Sequence, residues 1–330
     1  MKPIKDFQPE NPFFLAPMEA VNCTSFRILC RRRGASLLYT DMIDADVFVE
    51  YLTNHTSQEA IDTYLNPHPQ DTPLAIQLGG GNVENLLKAV AILQPFATTI
   101  DYNVGCPLGY MLGKKGGSYL LKHPDQLHKI LVALREHIHK PFTIKIRSGW
   151  DEDSINAVEV AKMAESVGVD AIAVHPRTRK QLYTKRADWP LVRKVAEQVS
   201  IPVILSGDVT NAYMAHMAFL HTKCDYIMIA RGAKYNPSIF RELVDYYQTK
   251  EEPVKKDALY TKSSQQVKED FREFLSLYKS VEKRDKFSEI LDHTNWLIRG
   301  CSNNAQLRKA LQNSTTLSDL QQIVSQAKFT

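Results

Sequence analysis

Chemistry concentrates in the stretch Asp101-Tyr102-Asn103-Val104-Gly105-Cys106-Pro107, where an Asn and a Cys stand three residues apart beyond the apolar run Ala97-Thr98-Thr99-Ile100. Gly and Pro stop a strand and open a loop, so both side chains face whatever lies above the strand end. Asn103 can donate and accept at once, as the amide edge of a pyrimidine requires. A free thiol has a pKa of about 8.5, so near neutrality Cys106 is mostly protonated and can serve as an acid. The plainer reading of a lone cysteine is a buried structural side chain; the residues around this one argue otherwise.

Lys145 and His175 also sit at the ends of apolar runs. A cation there suits the N1–C2 edge of a reduced flavin, and an imidazole can bond its ring or phosphate. The Gln77 amide could read the N3–O4 edge. Ser206-Gly207-Asp208 and Ala230-Arg231-Gly232 set backbone N–H groups and an arginine beside glycine, a match for a phosphate. Singly, Lys145 reads equally as a solvated strand end, His175 as a satisfied core histidine, and the two glycine segments as tight turns. Cations at Lys114-Lys115, Arg177-Thr178-Arg179-Lys180, Lys185-Arg186 and Arg31-Arg32-Arg33 suit a phosphodiester backbone. They also read as solvated faces, and Arg31–Arg33 as a helix C-terminus completing the dipole.

Something must bring these residues together. Eight strand-like runs recur: Phe13-Pro17, Ser36-Asp41, Pro73-Leu78, Thr98-Asn103, Phe142-Arg147, Asp170-His175, Ile201-Ser206 and Asp225-Arg231. Amphipathic stretches alternate with them, among them Val83-Leu93, Pro124-His137, Ser154-Val167, Trp189-Val199 and Tyr213-His221. Nearly all-apolar strands alternating with helices imply parallel βα units buried on both faces. Eight of them predict an α/β fold, a (β/α)8 TIM barrel, whose C-terminal strand ends converge on one site. All eight ends carry polar residues, which surface solvation does not explain. A doubly wound sheet would call for a G-x-G-x-x-G after an early strand, and none is present. The barrel is expected over residues 1–248, a linker over 249–262, and a small helical bundle over 263–330 built from Val267-Tyr278, Phe287-Ile298, Ala305-Leu311 and Leu317-Gln326. Ser302-Asn303-Asn304 and Asn313-Ser314-Thr315-Thr316 are natural helix caps between them.

Composition agrees with a globular protein: 44% hydrophobic and 24% charged residues, with no apolar run near the roughly 20 residues of a membrane helix. Five scattered cysteines without a Cys-x-x-Cys pair argue for reduced thiols in a cytoplasm and against a zinc site or any other metal. The net charge of +4 is uneven: Lys255–Thr330 holds 13 Lys/Arg against 9 Asp/Glu, while the rest balances. A basic appendix on a neutral body suits a polyanion such as RNA.

The sequence resembles the tRNA-dihydrouridine synthases. The matching pieces are Leu15-Ala16-Pro17-Met18 with Phe26-Arg27, Ile76-Gln77-Leu78-Gly79-Gly80, Asp101–Pro107, and Gly116-Gly117-Ser118 with Leu120-Leu121. Lys145-Ile146-Arg147-Ser148-Gly149, His175-Pro176-Arg177-Thr178-Arg179 with Ala187-Asp188-Trp189, Ser206-Gly207-Asp208-Val209 and Arg231-Gly232-Ala233 complete the set. They span roughly the first 240 residues, and Asn-x-Gly-Cys-Pro is the most specific; the C-terminal helices match only loosely, through His293-x-x-Trp296 and Arg308. The family usually has Asn at Ser206, Gly at Ala230 and Thr-Asp at Asn22-Cys23.

The resemblance implies FMN as cofactor, NADPH (or NADH) as reductant and tRNA as partner, in a protein working without a protein partner, as a monomer. It makes Cys106 the proton donor to uracil C5 after hydride transfer to C6. Pro17, Met18 and Glu19 would line the flavin; Gln77, Lys145 and His175 would bond its ring and phosphate; Ser206, Gly207, Asp208, Ala230 and Arg231 would hold the phosphate. Asn103 and Arg147 would face the uracil, with Lys114, Arg177 and Arg179 on the substrate. Reducing a C5=C6 bond needs a hydride source on one face and an acid on the other, which a flavin and a neutral thiol supply. The uridine must turn out of the tRNA fold, at a cost of a few kcal/mol. Two other classes remain open: a flavin barrel acting on a small enone or orotate-like metabolite, which has no need of a basic helical appendix, and a non-catalytic RNA-binding barrel, which has no need of Cys106 or Lys145.

Overall fold

The structure, a computed structural model, describes residues 1–249, 251, 253, 262–283 and 286–329. Its strands are β1 (Phe13–Leu15), β2 (Leu38–Tyr39), β3 (Ile43–Asp44), β4 (Leu74–Gly79), β5 (Thr99–Val104), β6 (Phe142–Arg147), β7 (Ala171–His175), β8 (Val203–Leu205) and β9 (Tyr226–Ile229). They pair in parallel in the order β1-β9-β8-β7-β6-β5-β4-β2, and a parallel bridge between Phe14 and Leu37 brings the two ends together. This is the expected eight-stranded barrel. The two-residue β3, which pairs with β4, is an addition that its short sequence did not announce.

Strand side chains alternate between faces. One set, including Ile76, Ile100, Tyr102, Ile144, Ile146, Ile172 and Val174, packs into the large core shared with the helices. The other set fills the barrel interior: Phe14, Leu37, Tyr39, Ala75, Ala171, Ala173, Ile204, Tyr226 and Met228. Following that second parity toward the strand C-termini leads to Gln77, Asp101, Asn103, Lys145, Arg147, His175, Ser206 and Ala230. Period two thus aims every polar strand end at one mouth.

The helices Val83–Leu93 and Pro124–His137 run over the expected residues. The helix expected from Ser154 instead starts at Ala157, after a single turn at Glu152–Ser154. Ile155 bridges to Gly149 and the Asn156 side chain donates to Leu121 O, so these two residues are held outside the helix. The expected linker lies for the most part outside the described residues. Beyond it run the helices Ser264–Val281, Phe287–Leu297, Asn304–Gln312 and Leu317–Gln326. Thr316 caps the last in a capping box with Asp319, whereas Asn303 bonds Gln326 O rather than capping its own helix. Among the described residues no helix is long and apolar enough to cross a membrane.

Candidate active site

At the barrel mouth the register sets three rungs side by side: Gln77, Asp101 and Thr143; Asn103 and Lys145; Arg147 and His175. Cys106 follows β5 by two residues and is half-buried. Its loop is pinned from several sides. Asn103 Oδ1 accepts from the backbone N–H of Gly105 (3.0 Å) and of Cys106 (2.8 Å). Ser118 donates to Cys106 O through both N–H and hydroxyl, at 3.0 and 2.9 Å. Arg147 Nε donates to Gly105 O at 2.9 Å. Two glycines permit this packing: a Cβ on Gly81 would lie 2.3 Å from Lys114 O, and one on Gly117, at φ +57°, 2.7 Å from Cys106 O.

Burial pushes the Cys106 thiol up, more than the nearby Arg147 and Lys145 pull it down. The thiol therefore stays protonated near neutrality. Lys145 is drawn down to about 8, first by burial and then by Arg147, while Asp101 and Cys106 oppose the shift. His175 is held well below its usual range by burial and by Lys145, Arg147, Arg177 and Arg231, so its imidazole is neutral. Four cations thus bear on one buried ring. The carboxylates within that group are Asp208, which takes Arg177 at 2.6 and 2.8 Å and Arg231 at 2.9 Å, and Asp101 beneath Lys145.

A mouth with an excess of positive charge accommodates an anion. The Gly207-Asp208 turn lies at its rim, with Asp208 at φ +59°, and a Cβ on Gly207 would press on Ala187 Cβ at 3.1 Å. Ser206 is buried, while Gly207, Ala230 and Arg231 are half-buried beside it. The chemistry of these residues fits a phosphate; Pro17 and Met18 are half-buried beyond the end of β1, and Lys145 is half-buried on β6. Glu19 is exposed and lies 3.5 Å from the Tyr110 hydroxyl.

The basic segments differ from open cationic loops. Arg177 is 3% exposed, bound to Asp208, to Lys185 O at 2.6 Å and to His175 Nε2 at 3.2 Å. Arg147 is equally buried and ties Gly105 O to Thr178 O and Leu182 O. Lys114 pairs with Asp44 at 2.6 Å, Lys180 with Asp151 at 2.8 Å and Lys185 with Glu152 at 2.5 Å. Arg179 stacks over Trp150 at 4.8 Å, which Lys122 also approaches at 5.0 Å. Arg31 and Arg32 end their helix as the dipole argument expects, pairing with Glu10 and Glu273.

Three features escape a reading by spacing. Tyr183 lies over Arg231 at 5.0 Å and Arg147 at 5.8 Å, joined to the site by a loop with no periodicity. Asn22, where the family pattern has Thr, is buried and donates to Ala16 O and Tyr39 O, stitching the ends of β1 and β2. Asp101 lies in the quoted motif, yet only the register shows what it touches.

The chain matches the family model described as dihydrouridine synthase over residues 14–330. It is 33% identical over 318 residues to the tRNA-dihydrouridine synthase B of Pasteurella multocida strain Pm70, covering 94% of this chain and 91% of that one. It is 38% identical over 242 residues to the protein of that name from Pseudomonas aeruginosa, covering 73% and 71%. Among solved structures, a 2-naphthoyl-CoA reductase complex superposes with a TM-score of 0.53 at 12% identity, over 72% of this chain and 50% of that chain, a likeness of fold alone.

Proposed function

The chain belongs to the dihydrouridine synthase family, and we propose that it reduces the C5=C6 bond of uridines in tRNA to 5,6-dihydrouridine, with FMN as cofactor and NADPH, or NADH, as reductant. The observation that carries this reading is the Cys106 loop, pinned by Asn103, Ser118 and Arg147 at a barrel mouth crowded with cations, where burial favours the thiol form. Gln77, Lys145 and His175 would bond the flavin ring and phosphate, and Pro17, Met18 and Glu19 would border it. Its phosphate takes the Ser206-Gly207-Asp208 turn together with Ala230 and Arg231. When bound, FMN supplies the hydride that adds to C6.

Cys106 delivers the proton to C5. The electron pair of its S–H bond stays on sulfur, and the thiolate is stabilised by Arg147 and Lys145, the two cations that oppose the upward push of burial. Asn103 and Arg147 border the uracil while holding the Cys106 loop. Lys114 and Arg179, with the helical unit from 263 onward, receive the tRNA, whereas Arg177, expected from the sequence to meet the substrate, is buried against Asp208, His175 and Lys185 O and orders the mouth instead. The protein acts as a monomer in the cytoplasm.

An absorption spectrum of the purified protein, followed by NADPH and then unmodified tRNA without oxygen, tests the reading. Flavin bands that bleach with NADPH and return only with tRNA support it. Reoxidation by a small enone or orotate but not by tRNA, or the lack of any flavin, overturns it.

A further inference from the structure

Below Cys106 the barrel holds a continuous buried chain of hydrogen bonds. The Thr143 hydroxyl donates to Asp101 Oδ1 at 2.5 Å, and Gln77 Nε2 donates to Asp101 Oδ2 at 2.6 Å. Asn103 Nδ2 donates to Gln77 Oε1 at 2.7 Å, and Asn103 Oδ1 takes the N–H groups of Gly105 and Cys106. Thr143, Asp101 and Gln77 are all but completely buried.

The two amides in this chain are nearly symmetric in shape, so packing alone does not choose between their two flips. A carboxylate does choose, because both of its oxygens accept and neither donates. It turns the Gln77 amino group toward itself, which turns Gln77 Oε1 toward Asn103. That in turn presents Asn103 Oδ1 to the loop that carries the thiol. Were Gln77 reversed, its oxygen would face the carboxylate, and Asn103 would offer donors to the donors of Gly105 and Cys106.

We propose that Asp101 is a positioning residue, which sets the orientation of the Gln77 and Asn103 amides and through them holds the Cys106 loop in its reactive place. The inference rests on Cys106 being the acid of the proposed reaction, but its structural part stands on the bonds alone.

Three variants of the full-length, cofactor-loaded protein test it: Asp101→Ala, Asp101→Asn, and Asp101→Asn combined with Thr143→Val. The introduced amide can face Gln77 with its oxygen and the Thr143 hydroxyl with its amino group, because a hydroxyl can accept as well as donate. The single conservative variant therefore preserves the orientation. With Val at 143 the amino group has no acceptor there, and the preference for one flip is lost.

Asp101→Ala is expected to speed hydrogen exchange of the Gly105 and Cys106 amides about tenfold or more. Its kcat should fall about 10- to 100-fold with KM for tRNA within about threefold of wild type, since misplacing a reacting group costs turnover rather than binding. Asp101→Asn should recover both quantities to within about threefold of wild type, and adding Thr143→Val should lose them again. Unchanged amide exchange in Asp101→Ala overturns the proposal. So does an Asp101→Asn variant as impaired as Asp101→Ala, which would assign the effect to the charge beside Lys145. If Asp101→Ala does not fold, the comparison between the single and double variants decides by the same criteria. A wild-type protein with protected amides and no tRNA reduction would sink the proposed function and leave the positioning chain intact.

Discussion

At the scale of single residues, burial is the first cause of the shifts at the site, Cys106 and Lys145 among them. Cys106 is kept a thiol, and the cations around it are placed to stabilise the thiolate that proton donation leaves. Cys106→Ala is therefore expected to keep its flavin and its affinity for tRNA while single-turnover reduction falls about 10²- to 10⁴-fold, the usual worth of a positioned acid. Stopped-flow reoxidation of the reduced protein by tRNA measures this, and a loss below tenfold would remove Cys106 from that role. The alkaline loss of the wild-type rate should also lie above the range in which an ordinary cysteine titrates, since burial favours the acid form. Lys145, drawn down to about 8, regains its full charge when an anion lies beside it; Lys145→Met is expected to come off purification with less flavin per chain than wild type, as its absorbance at the flavin band would record.

At the scale of elements, the helix Ser264–Val281 lies along Thr24–Arg32 and is fastened near both ends. The Glu282 carboxylate takes the Ser25 N–H at 2.8 Å, the Ser25 hydroxyl at 2.7 Å and the Asn66 amide at 3.0 Å. Farther along, Arg33 binds Asp270 at 2.7 Å and Glu273 at 2.6 Å, and Asp270 also accepts from the Ser238 hydroxyl. Asp270 is pushed up by burial and held down chiefly by Arg33. Arg33→Met leaves that buried carboxylate without its salt-bridge partner, which costs about 3–5 kcal/mol, whereas adding Asp270→Leu should restore most of it. Urea unfolding of the three proteins checks the cycle; equal losses in the single and double variants would show that the pair is not what the helix depends on. This fastening also marks the limit of what the chain discloses in one dimension. The face Val267, Phe271, Phe274, Leu275, Tyr278 repeats at helical spacing and is legible, as are the eight strands and their polar ends, because each signal lies within a dozen residues. Arg33 is not: in sequence it is the third member of a basic run, and its carboxylate lies 237 residues away. Arg177 was legible as a residue of the barrel mouth but not as a buried one, since Asp208 reaches it only across β7 and β8. Asp101 was visible as part of a motif and silent about its partners, which register alone supplies.

At the scale of the whole molecule, the contact between barrel and helical unit contains a buried histidine whose nearest charge effect comes from a cation, Lys234. His293 is 2% exposed; its ring lies 4.4 Å from that of Phe274 and 5.0 Å from that of Phe26, which belongs to the barrel, and edge-on to Trp296 at 4.8 Å. Its Nε2 lies 3.7 Å from Cys23 Sγ, one of the positions at which the sequence departs from the family pattern. Burial, with Lys234 adding to it, lowers the imidazole pKa to about 3. An unfolded chain would take up a proton near 6.5, so between pH 6.5 and 3 the unfolded state binds more protons than the folded one. Stability from this group is full above pH 6.5 and is lost as pH falls, by at most about 1.4 kcal/mol per unit. Asp41 and Asp101, both raised to about 6 by burial, act in the opposite sense between pH 6 and 3.8, because there the folded state holds the extra protons. The wild-type curve sums these opposed slopes, so the informative quantity is its difference from His293→Phe, which keeps an aromatic ring among Phe26, Phe274 and Trp296 and removes the titration. That difference should be nearly flat above pH 7 and move steadily in favour of the variant from pH 6.5 down to 4.5 in thermal melts. Parallel curves across that range would mean that His293 is already charged or solvated in the folded protein, and that the helical unit is not closed against the barrel as the ring packing has it.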